Sequence, residues 1–161
     1  MAEEDKKPVT EAQKEAARLM SDRLSKLKKT PPADGEIGCR MPDGTIFAGI
    51  SPDTNQPMYA APADASICMN FNEAAKYAKN LDVGGKKDFR VPSRAELDVL
   101  FQNREKGFLK GTFNTSGDNT EGWYWTSAPE HEIYAWSQRF SDGYKMNDNM
   151  YGRSSVRCIR G

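Results

Sequence analysis

The chain has 161 residues, 23 Lys and Arg against 23 Asp and Glu, one histidine and three cysteines, with a mean hydropathy of -0.78. At zero formal net charge there is no long-range field to recruit nucleic acid or an anionic membrane. No apolar run approaches the ~20 residues that a bilayer-spanning helix needs, so membrane insertion is not expected.

The first residues, Met1-Ala2-Glu3-Glu4-Asp5-Lys6-Lys7, carry no hydrophobic signal core. The expectation is synthesis in the cytosol without a signal peptide. The protein then stays there or leaves as part of an assembled particle such as a virion. Thr10 to Lys29 reads as a helix, with Thr10 and Gln13 forming a capping box. Ala12, Ala16, Leu19, Met20, Leu24 and Leu27 make one apolar stripe, and Thr30-Pro31-Pro32 ends it. Residues 1–32 are thus read as a helical arm and linker, and 33–161 as the main domain. The arm either packs on its own domain or docks on a partner, such as a neighbouring subunit.

From Glu36 the pattern turns to strands. Glu36–Met41 and Thr45–Ile50 flank Pro42-Asp43-Gly44, a hairpin signal, and a short apolar piece, Met58 to Ala61, follows. Asn72–Leu81 reads as a second helix, capped by Asn70 or Asn72, with Ala74, Ala75, Ala78 and Leu81 inward. Ser93-Arg94-Ala95-Glu96 is a capping box opening a third helix, whose stripe is Leu97, Leu100 and Phe101. Residues 111–122 have the composition of a surface loop. Three runs then alternate bulky and polar residues as half-buried strands do: Gly122–Ser127, Tyr134–Gly143 and Ser154–Arg160. Between the last two lies Tyr144–Gly152, read as a long polar, aromatic loop. The order gives an α+β fold.

Several segments resemble the Lcl C-terminal family, the C-terminal domains of collagen-like adhesins. Phe89-Arg90-Val91-Pro92-Ser93-Arg94-Ala95-Glu96-Leu97 is similar to its W-R-L-P-T-x-x-E-L. Gly122-Trp123-Tyr124-Trp125-Thr126-Ser127 resembles G-x-Y-W-S-S. Ala135-Trp136 with Phe140-Ser141-Asp142-Gly143 resembles A-W…F-x-x-G, and Val156-Arg157-Cys158-Ile159-Arg160 resembles V-R-C-V-R. The resemblance implies a C-type-lectin-like fold, two helices on a twisted antiparallel sheet, with an irregular face that carries ligand. Relatives include glycan-binding adhesin domains, and the wider fold includes phage receptor-binding proteins with diversified surfaces. Carried onto this chain, the variable positions are Ser137, Arg139, Tyr144, Met146, Asn147, Asp148, Asn149 and Tyr151. The calcium triplets of animal C-type lectins are broken here, as Gln56-Pro57-Met58 and Met146-Asn147-Asp148, so calcium-dependent sugar binding is not supported. The reactive cysteine pair of the formylglycine-generating branch has no counterpart.

The single histidine, His131, stands between Glu130 and Glu132 and reads as a solvated residue. With no nucleophile elbow, P-loop or dinucleotide fingerprint, enzyme activity is not expected. Asp142, Asn147, Asp148 and Asn149 offer oxygen donors without EF-hand spacing, so neither metal nor cofactor is expected. Cys39, Cys68 and Cys158 are read as three buried thiols. The alternative, for a protein outside the cell, is one disulfide and a spare thiol that links subunits. Trp125 and Trp136 are assigned to the core. Ligand contact is assigned to Tyr144 and Tyr151, to Arg139, Lys145 and Arg153 as carboxylate or sulfate partners, and to Met146, Asn147, Asp148 and Asn149 between them. The expected function is a non-enzymatic recognition or adhesion module on a larger assembly, meeting a cell-surface glycan or protein through the 144–153 loop, residues 130–139 and, as a further candidate, the 111–121 loop. The alternative is a structural decoration or collar subunit of a phage particle.

Overall fold

The computed structural model describes residues 10–27 and 35–161, and for residues 20–27 the backbone alone. The chain divides into two units, Met1–Thr30 and Pro31–Gly161. In the first, α1 spans Glu11–Leu27. Its capping box forms as expected: Gln13 N donates to Thr10 Oγ1 at 3.3 Å and Thr10 N to Gln13 Oε1 at 3.1 Å. Leu19, on the apolar stripe, is 60% exposed. The side chains of Met20, Leu24 and Leu27 and the Pro31-Pro32 break lie outside the described residues.

The second unit is α+β. Two helices, α2 (Phe71–Asn80) and α3 (Arg94–Gln102), accompany two antiparallel sheets. One sheet has the order β1 (Ile46–Ile50), β2 (Pro57–Ala60), β6 (Ile159–Arg160); the other runs β3 (Trp123–His131), β4 (Tyr134–Arg139), β5 (Lys145–Asn149). One twisted sheet was expected; two of three strands each are found. The reason lies in the last segment. Ser154 to Cys158 is buried throughout but makes only single bridges, Ser154 to Met69 and Ser155 to Tyr124. It runs between the sheets and joins one of them only at β6, so the third alternating run yields a two-residue strand.

Helix ends follow local rules. Asn70 caps α2 and Ser93 caps α3, each donating its own backbone N–H in return to the carboxylate of the glutamate three residues on. In α2 the spacing turns Ala74 and Ala78 inward and leaves Ala75 exposed, against expectation. The 36–50 hairpin is also reduced: its first arm forms no strand and meets β1 through one bridge, Arg40 to Ile46, and the bonds of Gly38 N and Cys39 O to Phe47. Gly38 turns the chain away at φ +94°, and its carbonyl accepts from Phe108 N at 2.6 Å. A Cβ there would stand 2.3 Å from the Lys106 carbonyl oxygen. Gly38→Ala should cost about 2–3 kcal/mol, combining positive-φ strain with this clash. Gly85 shares the positive φ but has open space, so Gly85→Ala should cost only ~1 kcal/mol. Urea unfolding compares the pair, and equal losses would show that the 38–107 crossing yields easily.

Two apolar clusters form the interior. One joins Ile46, Ala48 and Met58 to Leu97 and Leu100 of α3 and to Tyr124 and Phe140. The other gathers Ala74 and Ala78 of α2, Phe89, Val91, Trp125, Val156 and Cys158. Trp125 is fully buried, as expected, and its Nε1 donates to Met69 O at 2.8 Å. Trp136 is not in the core; it is half-buried under Arg94. All three cysteines are free. No disulfide forms because the three occupy separate places: Cys158 packs in the α2 cluster, Cys39 precedes β1, and Cys68 Sγ lies 3.8 Å from Ser155 Oγ. Cys39 and Cys68 are half-buried rather than buried. Burial, against the nearby Arg157 charge, pushes the Cys158 thiol up to about 12, so it stays protonated.

Two ion pairs, each with one fully buried partner, hold loops to this frame. Arg157 is 0% exposed; its Nε donates to Asp64 Oδ1 at 2.9 Å, and its Nη2 to Thr112 O at 2.6 Å. Its Nη1 donates to Ala61 O at 3.3 Å and Thr112 Oγ1 at 3.2 Å. Its guanidinium also lies 4.1 Å from the Phe113 ring centroid. The second pair joins Arg90 to Glu96 by two bonds of 2.6 Å.

Candidate recognition hairpin

Tyr144–Gly152 is not a loop in its first half. Lys145 to Asn149 pair with Gln138 to Tyr134 in an unbroken antiparallel register. Asn and Asp disfavour strands, which hid this one, but an edge strand with little to bury tolerates them. The turn from β4 into β5 closes through Gly143 N donating to Arg139 O at 2.7 Å. Gly143 (φ +84°) lies so close to the Phe101 ring that a Cβ would meet it at 2.6 Å. The hairpin is therefore seated on α3 at its turn.

A strand sends alternate residues to opposite faces, so β5 divides the expected contact residues in two. Met146 and Asp148 stand opposite Ser137 and Ala135, on the side of Trp123, Trp125 and Arg139. Lys145, Asn147 and Asn149 stand opposite Gln138, Trp136 and Tyr134, on the other side. Ser137 was expected at the surface; it is 1% exposed, because it faces Trp125, and its hydroxyl donates to Met146 O at 3.3 Å.

The first face centres on Arg139. Its Nε and Nη2 donate to the two Asp142 oxygens at 2.9 and 2.6 Å, and its Nη1 pairs with Asp118. The Arg139 bonds, aided by Tyr144 N, hold the Asp142 carboxyl down at about 2. So braced, the guanidinium lies 5.3 Å from the Trp123 ring centroid and 5.4 Å from that of Tyr144. Those two rings meet edge to face at 6.2 Å and 86°. Tyr144 is 59% exposed and Met146 40%.

The second face centres on Trp136. The Arg94 guanidinium carbon stands 3.7 Å above its ring, and its Nε1 donates to Glu130 Oε2 at 2.5 Å. Beside it Lys145 pairs with Asp98 at 3.1 Å. Asp98 also accepts from Gln138 Nε2 at 3.0 Å. Tyr151 and Arg153 are exposed beyond β5, outside both groups of contacts. The expected oxygen donors do not converge: Asp142 is taken by Arg139, and Asn147 and Asp148 point oppositely. Among the described residues no His, Cys, Asp or Glu group suited to a metal occurs.

Trp123 and Arg94 were not singled out as ligand contacts from the sequence; Trp136 and Gln138 fell within the 130–139 stretch expected to meet ligand, but neither was named as a contact and Trp136 was assigned to the core. The alternation along β4 was visible, but only the β5 register reveals which neighbours stay open.

The model of the Lcl C-terminal domain matches residues 43–160. The chain belongs to the Lcl C-terminal domain family. The match takes in α2, α3 and every strand of both sheets, and α1 lies outside it. All four segments whose resemblance was noted fall inside it. At this level the Lcl C-terminal domain is an adhesin-like module. No curated protein matches the chain.

Proposed function

We propose that this Lcl C-terminal domain is a non-enzymatic recognition module of C-type-lectin-like fold. Its N-terminal helix presents it on a larger assembly, such as a phage particle. It binds a glycan or protein of a cell surface through the β4–β5 hairpin. The observation that supports this reading best is the Trp123–Arg139–Tyr144 cluster. An arginine held by two carboxylates loses little freedom on binding, and two aromatic rings supply area at small entropic cost. Its unused N–H donors and the tyrosine hydroxyl then select the polar groups of the ligand.

Glycan and cell-surface protein arrays probed with the full chain test this. Tyr144→Ala should lower binding at least about tenfold, as loss of an exposed aromatic anchor does. Its urea midpoint should stay at the wild-type value, since the ring is mostly exposed. A Tyr144→Ala protein that binds any array hit as well as wild type would remove the cluster from the site. Absence of any hit would count against the recognition reading itself.

A further inference from the structure

Gln138 is 1% exposed, and its Oε1 is buried with no hydrogen-bond partner. Its orientation is settled by its neighbours. Nε2 donates to Asp98 Oδ1 at 3.0 Å and to Gly143 O at 3.2 Å, and both are acceptors. Turning the amide over would set oxygen against oxygen. The residue lines a narrow crevice with Arg94, Thr126, Trp136, Ser137 and Lys145, and no water-sized sphere fits there. Water therefore does not satisfy the oxygen in this conformation. A buried acceptor left unmet is costly, and such a cost persists where a ligand relieves it.

What closes the crevice is movable. Arg94 is exposed and held over Trp136 by stacking, and the Lys145 side chain is 41% exposed. Exposed side chains of this kind change rotamer in nanoseconds or less. With Arg94 swung aside, an indole face lies open, fixed at its edge by Glu130. Gln138, whose Oε1 is the unmet acceptor, lines the same crevice, and the donors Arg94 and Lys145 flank it.

We infer that the Trp136 face is a second subsite, one that takes a carbohydrate ring. The ring lays its C–H face on the indole, one hydroxyl donates to Gln138 Oε1, and a neighbouring hydroxyl accepts from Arg94 or Lys145. A hydroxyl both donates and accepts, so adjacent hydroxyls suit an acceptor flanked by donors. This deepens the recognition reading and rests on it, but uses the opposite face of β4 and β5 from the Arg139 cluster.

The test uses the nitrogen-labelled full chain and its three tryptophan indole N–H signals. Methyl glycosides of common hexoses and N-acetylhexosamines are added singly at millimolar concentrations. The expected result is a saturable shift of the Trp136 signal by at least one glycoside, with Trp125 unmoved. Gln138→Met should then weaken that glycoside about tenfold, the loss of one buried hydrogen bond. Tyr144→Ala, on the other face, should leave it unchanged. Should Gln138→Met not fold, Trp136→Phe takes its place and should weaken binding too, read from the backbone amide signals of β4 and β5 because the Trp136 indole signal is then gone. Glycosides that move only Trp123 would overturn this subsite and leave the recognition reading standing. So would a Trp136 signal that answers peptides but no glycoside. No response at Trp136, even in Arg94→Ser where the ring is uncovered, also overturns it, and the arrays still judge the broader reading separately.

Discussion

Replacing Arg157 with methionine should destabilise the domain by about 3–5 kcal/mol, the range for breaking a buried ion pair from one side. Methionine fills much of the space but donates nothing. The Ala61 and Thr112 carbonyls lose their donor, and the Asp64 carboxylate, 20% exposed, loses its cation. Tyr124 Oη still donates to Asp64 Oδ2 at 2.5 Å, so the carboxylate is not wholly abandoned. Asp64→Asn should cost less, about 1–2 kcal/mol, because its amide oxygen still accepts. The double variant Arg157→Met with Asp64→Leu should be more stable than Arg157→Met alone, since no charge is then left behind. Urea unfolding of the four proteins measures these differences. A loss below ~1 kcal/mol in Arg157→Met would mean that the pair does not anchor the 61–64 and 111–114 loops.

The second large effect is an acid limb in stability. Glu96 is 0% exposed. Burial alone would raise its carboxyl, but bonds from Arg90, Ser51 and Ser93 N overcome it and hold the carboxyl at about 2. A carboxyl lower in the folded than in the unfolded chain contributes stability that is complete above its unfolded value, near 4.5. That contribution should fade as pH drops from about 4.5 to about 2, and its size is about 3 kcal/mol. Glu96→Gln should flatten this limb and lower stability at pH 7 by about 2–3 kcal/mol. The Arg90 side chain, 37% exposed, regains some water and limits the loss. Thermal unfolding from pH 7 to pH 2 follows both proteins. Parallel curves would assign the acid sensitivity to other carboxyls.

Local chemistry was legible in the sequence, and distant pairing was not. Ser93 and Glu96 announced α3 by spacing alone, and so did Thr10 with Gln13 for α1, because capping needs only neighbours. The pairing of β2 with β6 joins residues about a hundred apart, and Arg157 finds Asp64 over a similar gap; no local pattern encodes either. Trp136 was assigned to the core on area, but its place on β4 leaves it half-buried with Arg94 stacked on its ring. β5 was hidden by its own composition. The expected ligand residues stand in sequence as one run, and their separation onto two faces depends on a register that only pairing with β4 defines.

That separation has a consequence for how such a surface changes. β5 is the outer strand of its sheet, joined to β4 by backbone bonds that no side chain supplies. Its side chains can therefore vary with little penalty in folding. Substitution at Met146 or Asp148 alters one face and leaves the other as it was; at Lys145, Asn147 or Asn149 the reverse holds. The two faces can drift independently along five residues. A single-residue insertion in the turn would exchange them, carrying every side chain of the strand to the opposite side.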